Sequence, residues 1–306
     1  MKKIALGKTG LLVPNIAVGC MRIHDIEKAL AERFLENALA RGANFFDHAD
    51  IYGGGVCEER FADAIHMTAS LREKIIIQSK CGIRPGIDYN STKDYIVTSV
   101  DNSLKRLKTD YLDILLIHRP DPLMEPEEVA EAFEILHNSG KVRYFGVSNF
   151  NPMQIQLLQK YVKQPLHINQ LQFSITNANM ISQGLHVNMS DEDAVNRDGS
   201  VLDFCRLNDM TIQPWSPFQH GFFNGVFLGN EKFPELNAAI DKIAEKYGVS
   251  STTIALAWIL RHPAHMQPIV GTMNTSRFND CVKASELYLD RSEWFGIYKA
   301  AGNTLP

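Results

Sequence analysis

The segment Leu112-Asp113-Ile114-Leu115-Leu116-Ile117-His118 contains four consecutive apolar residues and ends in a histidine. A continuous apolar run, rather than an alternating one, is expected of a strand in a parallel sheet that is covered on both faces. The run Ile75-Ile76-Ile77 has the same character and leads into Gln78-Ser79-Lys80. Both segments therefore predict buried parallel strands that carry a polar side chain near the carboxyl end.

Similar short apolar segments recur along the chain and alternate with longer segments of helical period. The predicted strands cover residues 16–21, 44–49, 74–80, 112–118, 142–148, 167–172, 211–217 and 267–271. Eight strands that each precede a helix predict an α/β protein with a (β/α)8 TIM barrel. No linker or low-complexity stretch divides the chain, so we expect a single domain over residues 1–306.

Several helix boundaries are marked by the sequence. Pro126 precedes a glutamate-rich first turn, and Gly140 can supply the left-handed stop of the same helix. Asn151-Pro152 predicts an N-cap directly after a strand, and the helix before Pro263 must end ahead of that proline. Residues 4–13 predict a β-hairpin that caps the N-terminal end of the barrel, and residues 290–300 predict a closing C-terminal helix.

Bulk composition excludes several classes of function. The chain has 306 residues, 45% of them hydrophobic, and a formal net charge of -4, so it lacks the basic face that nucleic-acid binding requires. Its five cysteines form no CxxC pair, which argues against a disulfide framework or a thiolate zinc site and favours a cytoplasmic location. The N-terminal segment has no clean apolar core of a signal peptide, and no segment approaches the length of a membrane span.

Four polar residues stand at or just beyond predicted strand ends: Asp47, Tyr52, Lys80 and His118. A parallel barrel gathers its strand ends on one face, so we expect these side chains to meet in one pocket. Reduction of a carbonyl group requires a proton donor, and Tyr52 can fill that role if Lys80 lowers its phenol pKa toward neutrality. Asp47 would balance the buried charge of Lys80, and His118 would orient the substrate oxygen. Any one of these residues alone could instead cap a turn or lie in the core with its hydrogen bonds satisfied.

The segment Asn44-Phe45-Phe46-Asp47-His48-Ala49-Asp50-Ile51-Tyr52-Gly53 resembles the signature of the aldo-keto reductase family, in which an Asp and a Tyr stand five positions apart. Further family motifs follow in order along the chain. They are Gln78-Ser79-Lys80, Leu115-Leu116-Ile117-His118, Gly146-Val147-Ser148-Asn149-Phe150, Asn169-Gln170, Trp215-Ser216-Pro217 and Gly271-Thr272. The resemblance spans the chain and is greatest to a bacterial subgroup of predicted oxidoreductases. It implies that Asp47, Tyr52, Lys80 and His118 are a catalytic tetrad that acts on a small-molecule carbonyl substrate.

The resemblance also implies a nicotinamide cofactor. Ser148, Asn149 and Gln170 would hold the carboxamide, and Trp215 would stack on the nicotinamide ring, although alone Trp215 would be interpreted as a core residue. Ser216, Phe218, Gln219 and His220 would wrap the pyrophosphate. Gly19, Cys20 and Met21 would line the nicotinamide pocket, with core packing as the alternative for Met21.

The adenosine end of the cofactor would lie at Gly271, Thr272, Asn274, Arg277 and Asp280. A helix N-terminus here offers free amides to a phosphate, and Arg277 can add a charge-assisted contact to an adenosine 2′-phosphate, which favours NADPH. The alternative for Arg277 is a solvated helix residue. Gly271 and Cys281 stand where many NADPH-using members carry Lys and Asn, so the use of NADH stays open.

Other features leave alternatives open. His48 stands where the family often carries a small residue such as Thr, and residues 173–199 form a long polar connection near the substrate side. A low-turnover nicotinamide-binding regulatory subunit shares this fold, but the complete tetrad disfavours that function. A metal-dependent barrel hydrolase is disfavoured because the histidines form no HxH or HExxH motif and Lys80 would repel a cation. No metal is therefore expected, and the chain is expected to be a monomer or a weak homo-oligomer.

Overall fold

A computed structural model describes all 306 residues and shows one sheet of eight parallel strands surrounded by helices. In chain order, these strands are β3 (Ala17–Gly19), β4 (Phe45–Asp47), β5 (Ile76–Cys81), β8 (Leu112–Ile117), β9 (Val142–Ser148), β10 (Leu166–Gln172), β11 (Thr211–Trp215) and β12 (Ile269–Val270). Four short strands lie outside this sheet: β1 (Lys3–Ala5), β2 (Leu12–Pro14), β6 (Ile83–Arg84) and β7 (Asp88–Tyr89). Each predicted strand is present, so the predicted α/β barrel is confirmed.

The barrel is closed between β11 and β12 by isolated contacts rather than by a regular ladder. The backbone N–H of Gln267 donates to the carbonyl of Ile212 over 3.0 Å. The predicted last strand, residues 267–271, is shortened to Ile269–Val270. Pro268 has no backbone N–H to offer, which is one physical reason for the short pairing.

Twelve α-helices cover the barrel, and none is long and apolar enough to cross a bilayer. They are α1 (Lys28–Ala40), α2 (Val56–Ala64), α3 (Ala69–Arg72), α4 (Lys93–Leu107), α5 (Pro126–Asn138), α6 (Pro152–Tyr161), α7 (Asn179–Leu185), α8 (Val201–Leu207), α9 (Pro234–Tyr247), α10 (Ser251–Leu260), α11 (Thr275–Ala284) and α12 (Arg291–Ala300). Short 3-10 helices lie at Ile23–Asp25, Tyr52–Gly55 and Glu192–Ala194.

The predicted helix boundaries are confirmed. Pro126 begins α5, and Gly140 after its end has a φ of +73°. Asn151 caps α6 in a reciprocal arrangement with Gln154, and α10 ends at Leu260. The polar connection 173–199 is less irregular than its composition suggested, because it contains α7 and one 3-10 helix.

The continuous apolar run of β8 is explained by two separate cores. Ile114 and Leu116 point into the barrel interior, whereas Leu115 and Ile117 pack in the layer between the sheet and the helices. All four are at most 1% exposed. Because full burial of such a side chain contributes roughly 1.5–3 kcal/mol, both faces of the strand favour this placement.

The N-terminal hairpin of β1 and β2 closes the amino end of the barrel, as predicted. The amide of Gly7 donates to Thr211 Oγ1 over 2.8 Å, and the hydroxyl of Tyr144 donates to the carbonyl of Thr9 over 3.2 Å. Gly7 has a φ of +49°, and a Cβ atom there would lie 2.7 Å from the carbonyl oxygen of His167. The turn therefore requires glycine, and only the carboxyl end of the barrel stays open.

The predicted closing helix is α12, capped by Asp290 through a reciprocal arrangement with Glu293. It packs on α10 through a pair of tryptophans. The indole N–H of Trp258 donates to the carbonyl of Trp294 and the indole N–H of Trp294 to that of Trp258, each over 3.0 Å. Their rings stack 4.7 Å apart at 6°, which fixes α12 against the barrel wall.

Candidate active site

The four predicted catalytic residues meet at the carboxyl end of the barrel. Asp47 ends β4, Lys80 lies near the end of β5, and His118 directly follows β8. Tyr52 lies in the 3-10 turn after β4. Parallel register places Asp47 beside Gln78 and Lys80 beside Leu116, so neighbouring strands deliver these side chains to the same level.

Lys80 is the centre of this group. Its ammonium donates to Asp47 Oδ2 over 2.8 Å, to the carbonyl of His48 over 2.7 Å and to the Tyr52 hydroxyl over 3.1 Å. The side chain of Lys80 is 0% exposed, yet its three N–H donors all have acceptors. A buried charge with a counter-ion and complete hydrogen bonding is tolerated, so the geometry is consistent with a stable ion pair.

The pKa shifts follow from burial and from this ion pair. Burial acts to lower the pKa of Lys80, but the charge of Asp47 and the contact with Tyr52 outweigh it and leave that pKa raised. Burial raises the pKa of Tyr52 by more than Lys80 lowers it, with Asp47 adding to the rise. Lys80 acts on the phenol pKa in the predicted direction, but burial outweighs it, so the pKa of Tyr52 is not brought toward neutrality in this structure. Tyr52 remains in its protonated, proton-donating form near neutral pH.

His118 faces the phenol. The two rings lie 6.1 Å apart at 82°, and Nδ1 of His118 is buried without a hydrogen-bond partner. Burial, followed by the charges of Lys80 and Arg119, holds the pKa of His118 well below its ordinary value. The imidazole is therefore neutral at physiological pH and can donate one hydrogen bond to an oxygen atom.

A cleft of about 1610 Å³ opens beside these residues and contains most of the predicted cofactor contacts. The predicted residues that line it are Gly19, Met21, Asp47, Tyr52, His118, Ser148, Asn149, Gln170, Trp215, Ser216, Phe218, Gln219, Gly271, Thr272, Asn274 and Arg277. Lys80 lies directly behind Asp47 and Tyr52. The cleft thus runs from the tetrad to the N-terminus of α11.

Three predicted cofactor residues do not line the cleft. Cys20 is fully buried, although its backbone N–H donates to the carbonyl of Asp47 over 2.9 Å. The ring of His220 packs on Phe233 at 5.0 Å, and Asp280 pairs with Lys283 at 2.8 Å. The geometry gives no support for contact between these three side chains and a molecule in the cleft.

The centre of the cleft contains a row of hydrogen-bonded polar groups. The hydroxyl of Ser148 donates to the carbonyl of Gln170 over 3.0 Å, and the amide of Asn149 donates to Ser148 Oγ over 2.8 Å. The indole N–H of Trp215 donates to Asn149 Oδ1 over 3.0 Å, which fixes the ring at the cleft wall. Hydroxyl and amide groups beside a half-buried indole suit a planar carboxamide-bearing ring.

The far end of the cleft is cationic and begins a helix. Asn274 caps α11 by accepting from the amide of Arg277 over 2.9 Å. A Cβ atom on Gly271 would lie 3.0 Å from Nη1 of Arg22, which donates to the Gly271 carbonyl over 3.2 Å. Arg22 therefore occupies the space beside Gly271 where relatives were expected to carry a lysine side chain.

Sequence analysis missed two kinds of site residue. Arg22, Arg33 and Arg119 also line the cleft, and Arg119 lies 5.8 Å from the ring centre of Trp215. Arg22 and Arg119 directly follow predicted site residues in the sequence, a signal that could have revealed them, whereas Arg33 on α1 gives none. A buried row of glutamines that ends at Asp47 was also missed, although Gln78 and Gln213 visibly interrupt apolar strands.

Residues 15–301 match the model of the aldo/keto reductase family, and the chain belongs to that family. Uncharacterized oxidoreductase YcsN of Bacillus subtilis is 37% identical, over 98% of each chain. A 6-dehydroglucose reductase of Agrobacterium fabrum is 34% identical, also over 98% of each chain. The solved structure of a thermostable aldo-keto reductase, Tm1743, with the inhibitor epalrestat superposes with a TM-score of 0.79 at 28% identity, covering 98% of this chain and 100% of the other. Membership of the family indicates an oxidoreductase, and the predicted family is confirmed.

Proposed function

We propose that this protein is an NADPH-dependent reductase that converts aldehydes or ketones into alcohols, with Tyr52 as the general acid. The observation that carries this proposal is the position of the Lys80 ammonium between Asp47 and the Tyr52 hydroxyl, at 2.8 and 3.1 Å. A buried cation in contact with a phenol stabilises the phenolate that proton donation leaves behind.

The cleft residues divide into two groups under this proposal. Ser148, Asn149 and Trp215 would hold the nicotinamide end, and Arg277 with the first turn of α11 would hold the 2′-phosphate. The reduced nicotinamide supplies the hydride. The Nε2 amide of Gln170 already donates to Asp47 Oδ1 over 3.0 Å, so only its oxygen would be free for the carboxamide.

Residues of the protein supply the proton that the carbonyl oxygen receives. Neutral His118 donates a hydrogen bond to the carbonyl oxygen and orients it toward Tyr52. The Tyr52 hydroxyl transfers its proton to that oxygen as the carbonyl carbon gains the hydride, and the product is an alcohol. Lys80 then faces a phenolate as well as Asp47, and its ammonium offsets one of the two negative charges of the buried group.

The substrate class is broad under this proposal. Two relatives, from Agrobacterium fabrum and Novosphingobium aromaticivorans, are named 6-dehydroglucose reductase and are 34% and 32% identical to this chain. Their names support sugar-derived aldehydes as the first compounds to test.

The proposal is tested by following NADPH absorbance with purified protein and a panel of carbonyl compounds that includes 6-dehydroglucose and a reactive aromatic aldehyde. We expect oxidation of NADPH with at least one aldehyde, and less efficient use of NADH. Tight NADPH binding with no turnover across the panel would contradict the proposal and favour the regulatory-subunit alternative.

A further inference from the structure

Four glutamines form a polar chain through the interior of the barrel. Gln78 lies on β5, Gln170 on β10, Gln213 on β11, and Gln267 just before β12. Gln78, Gln213 and Gln267 are 0% exposed and Gln170 is 3% exposed. They lie between the N-terminal hairpin and Asp47, where the other inward-facing residues are mostly apolar.

The hydrogen bonds that join the four glutamines all run in one direction, from amide donor to acceptor. Gln267 Nε2 donates to the carbonyl of Pro14 over 2.6 Å, and Gln213 Nε2 donates to Gln267 Oε1 over 2.9 Å. Gln213 Oε1 then accepts from Gln78 Nε2 at 2.9 Å and from Gln170 Nε2 at 3.1 Å. Those same two amides donate to Asp47 Oδ1, at 2.6 and 3.0 Å.

A backbone carbonyl sets this direction. The oxygen of Pro14 can only accept, so Gln267 must present its NH2 group to it and its Oε1 to Gln213. Gln213 must then present its NH2 group to Gln267 and its own Oε1 to Gln78 and Gln170. Both of these amides are left with N–H donors toward Asp47, an orientation that favours an ionised carboxylate.

The two carboxylate oxygens of Asp47 have different hydrogen-bond partners. Oδ1 accepts from the two glutamine amides, and Oδ2 accepts from Lys80 at 2.8 Å. The carboxylate is thereby fixed in rotation. The orientation leaves Gln78 Oε1 buried without a partner. Reversing the Gln78 amide would turn that oxygen toward Asp47 Oδ1, where two acceptors would repel each other.

We propose that Gln213 and Gln267 are positioning residues that transmit the orientation of the Pro14 carbonyl to Asp47, and so hold the Asp47–Lys80 pair in the geometry that proton transfer from Tyr52 requires. The inference rests on the proposed reductase function. Neither glutamine lines the cleft, so neither touches a molecule bound there.

The test uses Gln213→Met and Gln267→Leu, which replace an amide by an apolar side chain of similar size. Without these glutamine–glutamine hydrogen bonds, the amides of Gln78 and Gln170 are free to rotate. Asp47 then holds Lys80 less firmly. We expect kcat with saturating NADPH to fall roughly tenfold, as for loss of one charge-assisted hydrogen bond. Since Asp47 raises the pKa of Lys80, the alkaline limb of the kcat profile should move to lower pH, by roughly one unit.

The titratable groups that face Lys80 are unchanged in these variants. They are Cys20 after β3, Asp47 and His48 at the end of β4, Asp50 and Tyr52 in the following turn, and His118 after β8. A displaced alkaline limb is therefore assigned to the Asp47–Lys80 pair and the Tyr52 phenol that Lys80 contacts.

Gln159→Met is the matched control. Gln159 also makes three hydrogen bonds, to Val162, Gln164 and Leu166, but it lies outside the barrel interior. We expect this control to lower thermal stability without moving the pH profile.

Unchanged kcat and an unchanged alkaline limb in folded Gln267→Leu would overturn the inference, even if Gln213→Met failed to fold. A wild-type protein that binds NADPH but reduces no carbonyl compound would instead refute the proposed function. The two failures are therefore distinguishable.

Discussion

The ammonium nitrogen of Lys80 lies 3.1 Å from the hydroxyl oxygen of Tyr52 and 2.8 Å from Oδ2 of Asp47. One cation thus contacts the proton donor and its own counter-ion. The donor and the cation can be removed separately, and each removal has a different expected signature.

Tyr52→Phe removes the proton donor and leaves the ring. We expect kcat for a reactive aldehyde to fall about 10²–10⁴-fold, the usual contribution of a general acid, with NADPH affinity nearly unchanged. Steady-state kinetics and fluorescence titration with NADPH measure the two effects. Tyr95→Phe is the control, since Tyr95 donates only to the Ile83 carbonyl, over 3.1 Å. Wild-type turnover in Tyr52→Phe would remove Tyr52 as the acid.

Lys80→Met removes the cation and leaves Asp47 buried without its counter-ion. Breaking a buried pair in this way destabilises a protein by roughly 3–5 kcal/mol, so both activity and the free energy of unfolding should fall. Chemical denaturation at neutral pH measures the second effect.

Arg72→Met separates stability from catalysis in that experiment. Arg72 forms a second buried ion pair, with Asp113 at 2.8 Å, outside the cleft. Its loss should lower stability, although by less because Asp113 keeps Arg143 at 3.0 Å, and should leave kcat per folded molecule intact. Equal kcat losses in the two variants would argue against a catalytic role for Lys80.

His48→Thr tests acid lability. His48 is fully buried, and its pKa is lowered to about 3 from an ordinary value of 6.5 because of burial and the charge of Lys80. Between those two pH values His48 is protonated in the unfolded chain but not in the folded protein. Acidification therefore lowers the free energy of unfolding, by roughly 1.4 kcal/mol per unit of pKa shift. The variant should show a flatter decline in unfolding free energy from pH 6.5 to pH 4. Identical slopes would exclude His48 as a source of the decline.

Arg277→Ala tests the proposed choice of cofactor. If Arg277 binds the 2′-phosphate, the variant should raise KM for NADPH about tenfold while KM for NADH stays within a factor of two. Arg291→Ala, an exposed arginine on α12, is the control. Equal changes for the two cofactors would reject the 2′-phosphate role.

The barrel could be predicted from the sequence because a strand that is buried on both faces shows a continuous run of apolar residues. Ile114 to Ile117 contact two different cores, and no other common strand environment favours four apolar residues in a row. The last strand was overestimated because Gln267 joins β11 through a single backbone hydrogen bond, a long-range arrangement with no local pattern.

The site was predictable where function follows strand ends and unpredictable where it depends on packing. Asp47, Lys80 and His118 follow the rule that parallel strands meet at their carboxyl ends. The direction of the Tyr52 pKa was not accessible, because it depends on a balance between burial and the distance to Lys80. The cleft position of Arg33 depends on how α1 packs against α11, which the sequence does not show.

The reciprocal tryptophan pair has a spectroscopic consequence. Trp258 and Trp294 stack with nearly parallel ring planes, so their indole transitions should couple and contribute to the near-ultraviolet circular dichroism, a contribution that would be lost if α12 detached. Trp215 is the one tryptophan outside this pair, and it lies in the cleft beside Phe222 and Phe223. Its fluorescence emission can therefore report ligand binding in the cleft. The circular dichroism of the Trp258–Trp294 pair can report folding in the same sample.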